Sequence, residues 1–485
     1  MKKTIVLCAA ALAVCAALAC PALAAEETDE ATDEAGLASA FDESALFGDE
    51  SAGIETVEQG DKGTAVTTFL KTEAVRIGGS YTGTLSPSWT WNDPWNRKFD
   101  PADPDGTLLS PSVGAKVFFE ARPDEETRFY GSVRTDWPFA DEAATAAGGT
   151  VEVPNLSVFE LFADRSWGDR LFFRFGKHTV KWGVGYFWSP ADVINLTAID
   201  VTDPTAQLEG PISLRLQVPF AGTQNNLWAY AILPETDGSD SLDPEDIAVA
   251  GKYEFLLGNW EIGTGAFWQK DRAPKAMLTA TGSVWKCNLF GEAVLGWGSD
   301  KDWIEIGDQT PYVTLSKDGD GIYFSATAGF SYIDTKNDLT GYFQYFLNGD
   351  GYSDSRRKGL IADGRDLLAD QAGTSGAEAL SAAFKGLIWQ SGRHYAGVYL
   401  GKSGLVNEKL SLSFLAIANL SDLSGFLQPS ASWEFFDGFS ASFSPSFYWA
   451  TDALWGAGSD GEYVILADGP AMTLSFKATL GSGKF

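Results

Sequence analysis

The chain has 485 residues and a formal charge of −30, from 65 acidic and 35 basic side chains, a balance that sets aside a phosphate-backbone partner such as nucleic acid. Its 52 Gly, 17 Trp, 32 Phe and 15 Tyr stand against 3 Met, 4 Cys and 2 His. That composition suits turn-rich pleated structure over helical bundles and leaves little material for a His/Cys metal site or a Cys nucleophile.

The first residues, MKKTIVLCAAALAVCAALACPALAAEE, give a basic start at Lys2 and Lys3, an apolar run from Thr4 to Ala19 and a small-x-small cleavage site at Ala22-Leu23-Ala24. Residues 1–24 therefore read as a secretory signal peptide. Its removal takes two Lys and no acid, so the formal charge moves from −30 to −32. Cys8, Cys15 and Cys20 leave with it, and Cys287 alone cannot form an intrachain disulfide. A rival reading makes Ala17-Leu18-Ala19-Cys20 a lipobox with Cys20 as a lipidated N-terminus. Ala at its first position and the ordinary cleavage site that follows favour the signal peptide.

Residues 25–63 form an acidic leader. Glu26 to Lys62 carries 13 acidic residues and one basic residue, the mark of a solvated, weakly ordered segment. Leu37, Phe41, Leu46 and Phe47 could line one side of a short helix there. An exposed acidic leader is the simpler reading.

No run of 18 or more apolar residues follows the signal, so no transmembrane helix is expected. From Thr72 onward the pattern is strands of about 10 residues with period-two alternation, separated by Gly, Asp, Asn and Pro. Clear examples are Ser112 to Arg122, Arg128 to Trp137, Arg170 to Trp182, Ile212 to Phe220, Leu227 to Leu233, Trp260 to Lys270 and Phe439 to Trp449. Aromatics cluster at strand ends (Trp89, Trp91, Trp137, Trp182, Trp268, Trp297 and Trp449), as in the interfacial girdles of membrane barrels. Turns alternate long and short, another barrel rule. The chain ends in MTLSFKATLGSGKF, whose alternation and final Phe485 resemble the assembly signal of bacterial outer-membrane barrels. The resemblance implies the barrel assembly machinery as a partner.

Strand parity fixes the count. A first pass gives about 19 strands, and an odd number cannot return both ends to one side of the membrane. Folding the short candidate Pro311 to Leu315 into an external loop from Ser299 to Asp320 leaves 18, with 16 to 20 as the range. Residues 348–392 then form a long external insertion in which Gly376 to Lys385 reads as a short helix. The expected fold is all-β: a transmembrane antiparallel β-barrel over residues 64–485.

By alternation, Lys116, Glu120, Arg128, Arg134, Asp136, Arg170, Arg174, His178 and Arg215 fall on polar faces of the first half and are candidate pore-lining residues. A basic wall facing acids such as Glu254, Glu261 and Glu292 would set a transverse field across a wet lumen. The alternative is that these charges pair with one another and only rigidify the interior.

The most distinctive string, RFGKHTVKWGVGYFWSPADVINLTAIDVTDP from Arg174 to Pro204, resembles a pattern in poorly characterised families of large porin-like bacterial outer-membrane barrels. The matching residues are Arg174, Gly176, Trp182, Gly183, Pro190, Asp192, Asn195, Asp203 and Pro204; Leu196 departs from it, since those families often carry Pro after Asn. Gly183 and Gly185 permit close backbone approach, and Pro190 with Asp192 favours a fixed turn. Trp182, Gly183, Gly185, Trp188, Pro190, Asp192, Asn195 and Asp203 are thus candidates for a loop folded inward as a constriction, or for an ordinary loop capping the rim.

Neither His178 nor His394 accompanies a nucleophile motif, so no enzyme is expected. The acidic loops Asp100 to Gly106 and Asp237 to Asp246 lack EF-hand spacing, so no metal or cofactor is expected either. The expectation is a channel in the outer membrane of a two-membrane, Gram-negative-type bacterium, passing small hydrophilic solutes with outer-membrane lipid around it and its oligomeric state open. The alternatives are a closed barrel acting as adhesin or receptor through its external loops, and a transporter of apolar substrates.

Overall fold

The computed structural model describes residues 75–481 except 98, 145–149, 169, 235–242, 307–312, 371–376, 452–459 and 468. The signal peptide, the acidic leader, most of Asp237 to Asp246 and Phe485 lie outside the described residues.

Period-two alternation punctuated by turn formers builds strands in chain order. They are β1 (Val75–Asn92), β2 (Gly106–Asp124), β3 (Thr127–Asp136), β4 (Ala140–Ala144), β5 (Thr150–Pro154), β6 (Ser157–Trp167), β7 (Leu171–Lys177) and β8 (Ile212–Pro219). Then come β9 (Asn226–Ile232), β10 (Ala248–Leu257), β11 (Trp260–Trp268), β12 (Lys275–Val284), β13 (Cys287–Trp297), β14 (Trp303–Ile306) and β15 (Val313–Ser316). The last are β16 (Ile322–Asp334), β17 (Leu339–Leu347), β18 (His394–Gly404), β19 (Leu410–Asn419), β20 (Ser424–Phe436), β21 (Phe439–Ala450) and β22 (Ala471–Gly481). The pairs β4–β5 and β14–β15 are separate hairpins, and the other strands form one 18-stranded sheet. Antiparallel pairing of β1 with β22, from Thr82 opposite Gly481 to Asn92 opposite Ala471, closes it into a barrel. Closure leaves no sheet edge to pair with another chain.

One end of the barrel carries two-residue turns, as between β2 and β3 or β20 and β21, and the other carries long loops such as 178–211, 298–321 and 348–393. Both the alternation and the count of 18 agree with the sequence reading, and Val313 to Leu315, the described part of the Pro311 to Leu315 candidate, lies in the β14–β15 hairpin of a long loop. Outward residues form an apolar belt, with Leu109, Phe175, Leu214, Leu278, Phe324 and Leu480 among its exposed members. A belt running round the whole wall far exceeds the apolar patches of a soluble surface. Exposed Trp137, Trp268 and Trp297 mark its long-loop end, Trp167 and Trp285 its short-turn end. The chain is a membrane-spanning β-barrel. Among the described residues no helix is long and apolar enough to cross a membrane.

Four details differ from expectation. The strand expected over Arg170 to Trp182 runs only from Leu171 to Lys177. Beyond it, the side chain of Asn195 accepts the Val180 N–H at 2.9 Å and donates to the Val180 carbonyl at 2.5 Å, taking the place of a neighbouring strand. Arg170 is exposed in the preceding turn, its N–H directed to the Trp167 carbonyl at 3.3 Å, and is not on a strand face. Trp182 is buried inside the barrel, and Trp91 is buried under Phe99 with its indole donating to the Asp100 carbonyl, so neither belongs to a girdle. The insertion holds α2 (Ala377–Ile388), close to the expected helix, and also α1 (Asp354–Asp370). Both share one apolar core with β14 through Trp303, Ile304, Tyr352, Ile361, Phe384 and Ile388.

Candidate functional site

Loop 178–211 turns into the lumen and lies along its wall. Val180, Trp182, Ala191 and Ile194 pack with Trp228, Tyr230, Phe267, Met277 and Val294, which line the inner faces of β9 to β13. Tyr186, Phe187, Trp188 and Val201 pack with Phe346, Tyr395, Ile417 and Phe426 on β17 to β20. Trp188 stacks on Phe346 at 5.7 Å, and Tyr186 lies parallel to Tyr342 at 4.0 Å.

Burying a loop strands its backbone polar groups unless the wall supplies partners, and three wall residues do so. Glu292 on β13 accepts the N–H groups of Val184 at 2.5 Å, Gly185 at 2.7 Å and Ala191 at 2.9 Å, and the Ser189 hydroxyl at 2.9 Å. Gln344 on β17 accepts the N–H groups of Tyr186 at 2.9 Å and Phe187 at 2.7 Å, and donates to the Trp188 carbonyl at 2.5 Å. Lys252 on β10 donates to the Trp182 carbonyl at 3.0 Å. Gly183 is required at this seat: a Cβ there would stand 1.6 Å from Ser189 Oγ and 2.6 Å from Glu292 Oε1. Within the loop, Asp192 accepts the Asn195 amide at 2.8 and 3.0 Å, while half-buried Pro190 precedes the buried Ala191. Asp203 is exposed and accepts the Thr205 hydroxyl at 2.8 Å. The loop is thus folded inward; it does not simply cap the rim.

The inner faces of β2, β3, β6, β7 and β8 carry the expected cations, interleaved with acids and rings. Arg128 pairs with Glu120 at 2.9 Å and with Asp164 at 3.9 Å, and Arg122 reaches the same Glu120 at 2.8 Å. Arg174 grips Asp164 with two nitrogens at 2.6 and 3.1 Å and lies 4.2 Å from the Phe162 ring centroid. Arg215 stands opposite Arg174 in register and over Trp228 at 5.1 Å. Arg134 pairs with Asp136 at 3.2 Å and shares Phe159 with Lys116, whose ammonium reaches Gln207 of the folded loop at 3.0 Å. His178 is fully buried at the end of β7, edge-on to Phe162, and does not line open lumen.

The acids expected across the lumen are arranged differently. Glu254 pairs with Lys252 and accepts the Trp228 indole N–H, both at 2.7 Å, and with the exposed Glu261 it sits on β10 and β11, close to the basic wall in strand order. Glu292 is only 4 % exposed and spends its oxygens on the loop, so it is an anchor and not a pore-lining charge. Period-two alternation identifies inward residues but not which of them a folded loop will cover. The anchoring roles of Gln344 and Lys252 are hidden from the sequence for the same reason, although a glutamine among Tyr342, Phe343, Tyr345 and Phe346 is a conspicuous polar interruption.

At the long-loop end, α3 (Glu462–Leu466) docks between β20 and β21. Glu462, fully buried, accepts the Gln390 N–H at 2.7 Å, the Tyr395 hydroxyl at 2.8 Å and the Asn419 amide at 2.7 Å. Arg357 of α1 pairs with Asp422 beside it at 2.7 Å. Burial pushes the Glu462 carboxyl up to about 7, against the opposing pull of Arg357. Among the described residues no group of three or more His, Cys, Asp or Glu could hold a metal ion.

Several solved structures are similar to the chain. Pseudomonas aeruginosa OccK11 (OpdR) matches at 8% identity over 84% of this chain and 95% of that one, with a TM-score of 0.43. Acinetobacter baumannii OccAB1 matches at 10% identity over 84% and 97%, with a TM-score of 0.45. Salmonella typhi OmpF, in a complex with daunomycin, matches at 10% identity over 83% and 97%, with a TM-score of 0.38. No protein-family model matches the sequence, and no curated protein matches it.

Proposed function

We propose that the chain is a porin-like channel of the bacterial outer membrane, passing small hydrophilic solutes by diffusion, with its long-loop end outward. The observation that carries this reading is the folded loop. It covers the inner faces of β9 to β13 and of β17 to β20, while the charged faces of β2 to β8 keep side chains in reach of lumen water, among them Arg134, whose side chain is 49 % exposed. A barrel of this strand number encloses a channel wide enough to stay wet beside such a loop. On the inner faces of β1 to β8, Arg76, Lys116, Arg122, Arg128, Arg134, Arg174 and Arg215 outnumber Glu120, Asp136, Glu160 and Asp164. That excess supports a preference for anions, since a low-dielectric wall concentrates the field of its net charge in the passage. Polar and charged faces of this kind argue against an apolar-substrate transporter.

The test is single-channel recording of purified, refolded protein in planar bilayers. Discrete ion steps are expected. A folded barrel that gives none under any condition would defeat the channel reading and favour an adhesin or receptor acting through its external loops.

A further inference from the structure

The inner wall has a second sector of different chemistry. Ser440, Ser442, Ser444 and Ser446 all point inward from β21, alternating with the outward Phe439, Ala441, Phe443, Pro445 and Phe447. In register, Ser444 stands opposite Ser475 of β22, and Ser475 opposite Ser88 of β1, so hydroxyls continue sideways across three strands. One level up, the Thr90 and Thr473 hydroxyls meet at 3.0 Å. Lys477 is the one charged residue on the inner faces of β21 and β22. Ser442, Ser444, Ser475 and Ser88 make no side-chain hydrogen bond to another described residue, leaving their hydroxyls to whatever fills the lumen. The exposed residues of the loop include Thr197, Thr202, Thr205 and Gln207, but also the acids Asp200 and Asp203, which accept the Thr202 and Thr205 hydroxyls. The basic wall neutralises much of its charge internally, whereas this sector has almost none to neutralise.

We propose that the part of the lumen bordered by β21, β22 and β1 passes neutral polyhydroxylated solutes, monosaccharides and disaccharides, which exchange hydration water for the wall hydroxyls. A serine or threonine hydroxyl both donates and accepts, so it meets a sugar hydroxyl in either sense and replaces a water without the reorganisation a fixed charge demands. A wall whose only charges among the described residues are Lys477 on β22 and Arg76 at the start of β1 also exerts little pull on the ordered water that a neutral solute must displace. The inference rests on the channel reading and adds a solute class to the one favoured by the basic wall.

The test compares glucose entry into proteoliposomes, read by swelling rate, with single-channel conductance in KCl, for the native chain and for Ser442→Ala/Ser444→Ala/Ser475→Ala. Alanine removes the hydroxyls without narrowing the passage. The native chain is expected to admit glucose, and the triple variant to admit it about threefold more slowly, the size set by a few modest hydrogen bonds, with conductance unchanged. Glucose entry that is unaltered in the variant, that falls only in proportion to conductance, or that is absent in a conducting native channel would overturn the inference. Absence of ionic conductance in the native chain would instead overturn the channel reading on which it rests.

Discussion

Phe187 lies so close to Gly397 that a Cβ built at position 397 would stand 2.6 Å from its ring. The contact joins the middle of the folded loop to the inner face of β18, where only a glycine leaves room for the fully buried aromatic ring. Gly397→Val is therefore expected to push Phe187 off the wall, at an overpacking cost of about 1–3 kcal/mol, and to weaken the loop's seat without breaking the barrel. Single-channel conductance should become noisier while the folded form persists on unheated gels. A quiet, native-like current would show that the loop does not depend on this contact.

Glu292 is the stronger anchor. Glu292→Ala leaves the N–H groups of Val184, Gly185 and Ala191 without their acceptor, and bonds to a charged group contribute about 1.5–3 kcal/mol each. The loop is expected to detach over residues 183–191, seen as new protease cleavage there and a changed conductance. Glu292→Gln keeps an acceptor oxygen and should fall between alanine and native. Equal protection of all three proteins would contradict the anchoring role.

The barrel was legible because alternation, turn length and strand parity each constrain the same quantity. Parity requires one candidate strand to be false, Pro311 to Leu315 is the weakest, and its described part, Val313 to Leu315, lies in a long-loop hairpin. The site was legible only in part, since alternation places Glu292 and Arg174 alike on the inner face, yet one is spent on a loop 101 to 108 residues away in sequence and the other is held by Asp164. The end of β7 was hidden because the Asn195 side chain imitates strand pairing. Helix α1 was hidden by Gly359 and Gly364, although its buried Arg357, Leu360, Ile361, Gly364 and Leu367 follow helical spacing.

The packing of α1 and α3 around Glu462 should respond to pH. Glu462 faces Arg357 from α1, Asp422 from the β19–β20 turn, Tyr395, Asn419 and the Gln390 N–H. Its carboxyl is raised from 4.5 to about 7 in the docked state. Docking therefore takes up a proton, and its stabilisation is full below the ordinary carboxylate range and lost as pH rises through about 7. Hydrogen exchange over residues 354–370 and 462–466 is expected to be better protected, after correction for intrinsic rates, at acidic than at alkaline pH. Glu462→Gln should flatten the difference, and identical protection across that range in the native chain would rule out the linkage.

The most direct measurement of the central claim is the reversal potential of single channels under a KCl gradient, in the native chain and in Arg128→Ser/Arg174→Ser/Arg215→Ser. If the passage beside the folded loop is bounded by a net-basic wall, the native channel reverses on the chloride side and the triple variant moves toward zero. A native channel that reverses on the potassium side, or a variant that keeps the native anion preference, would contradict it.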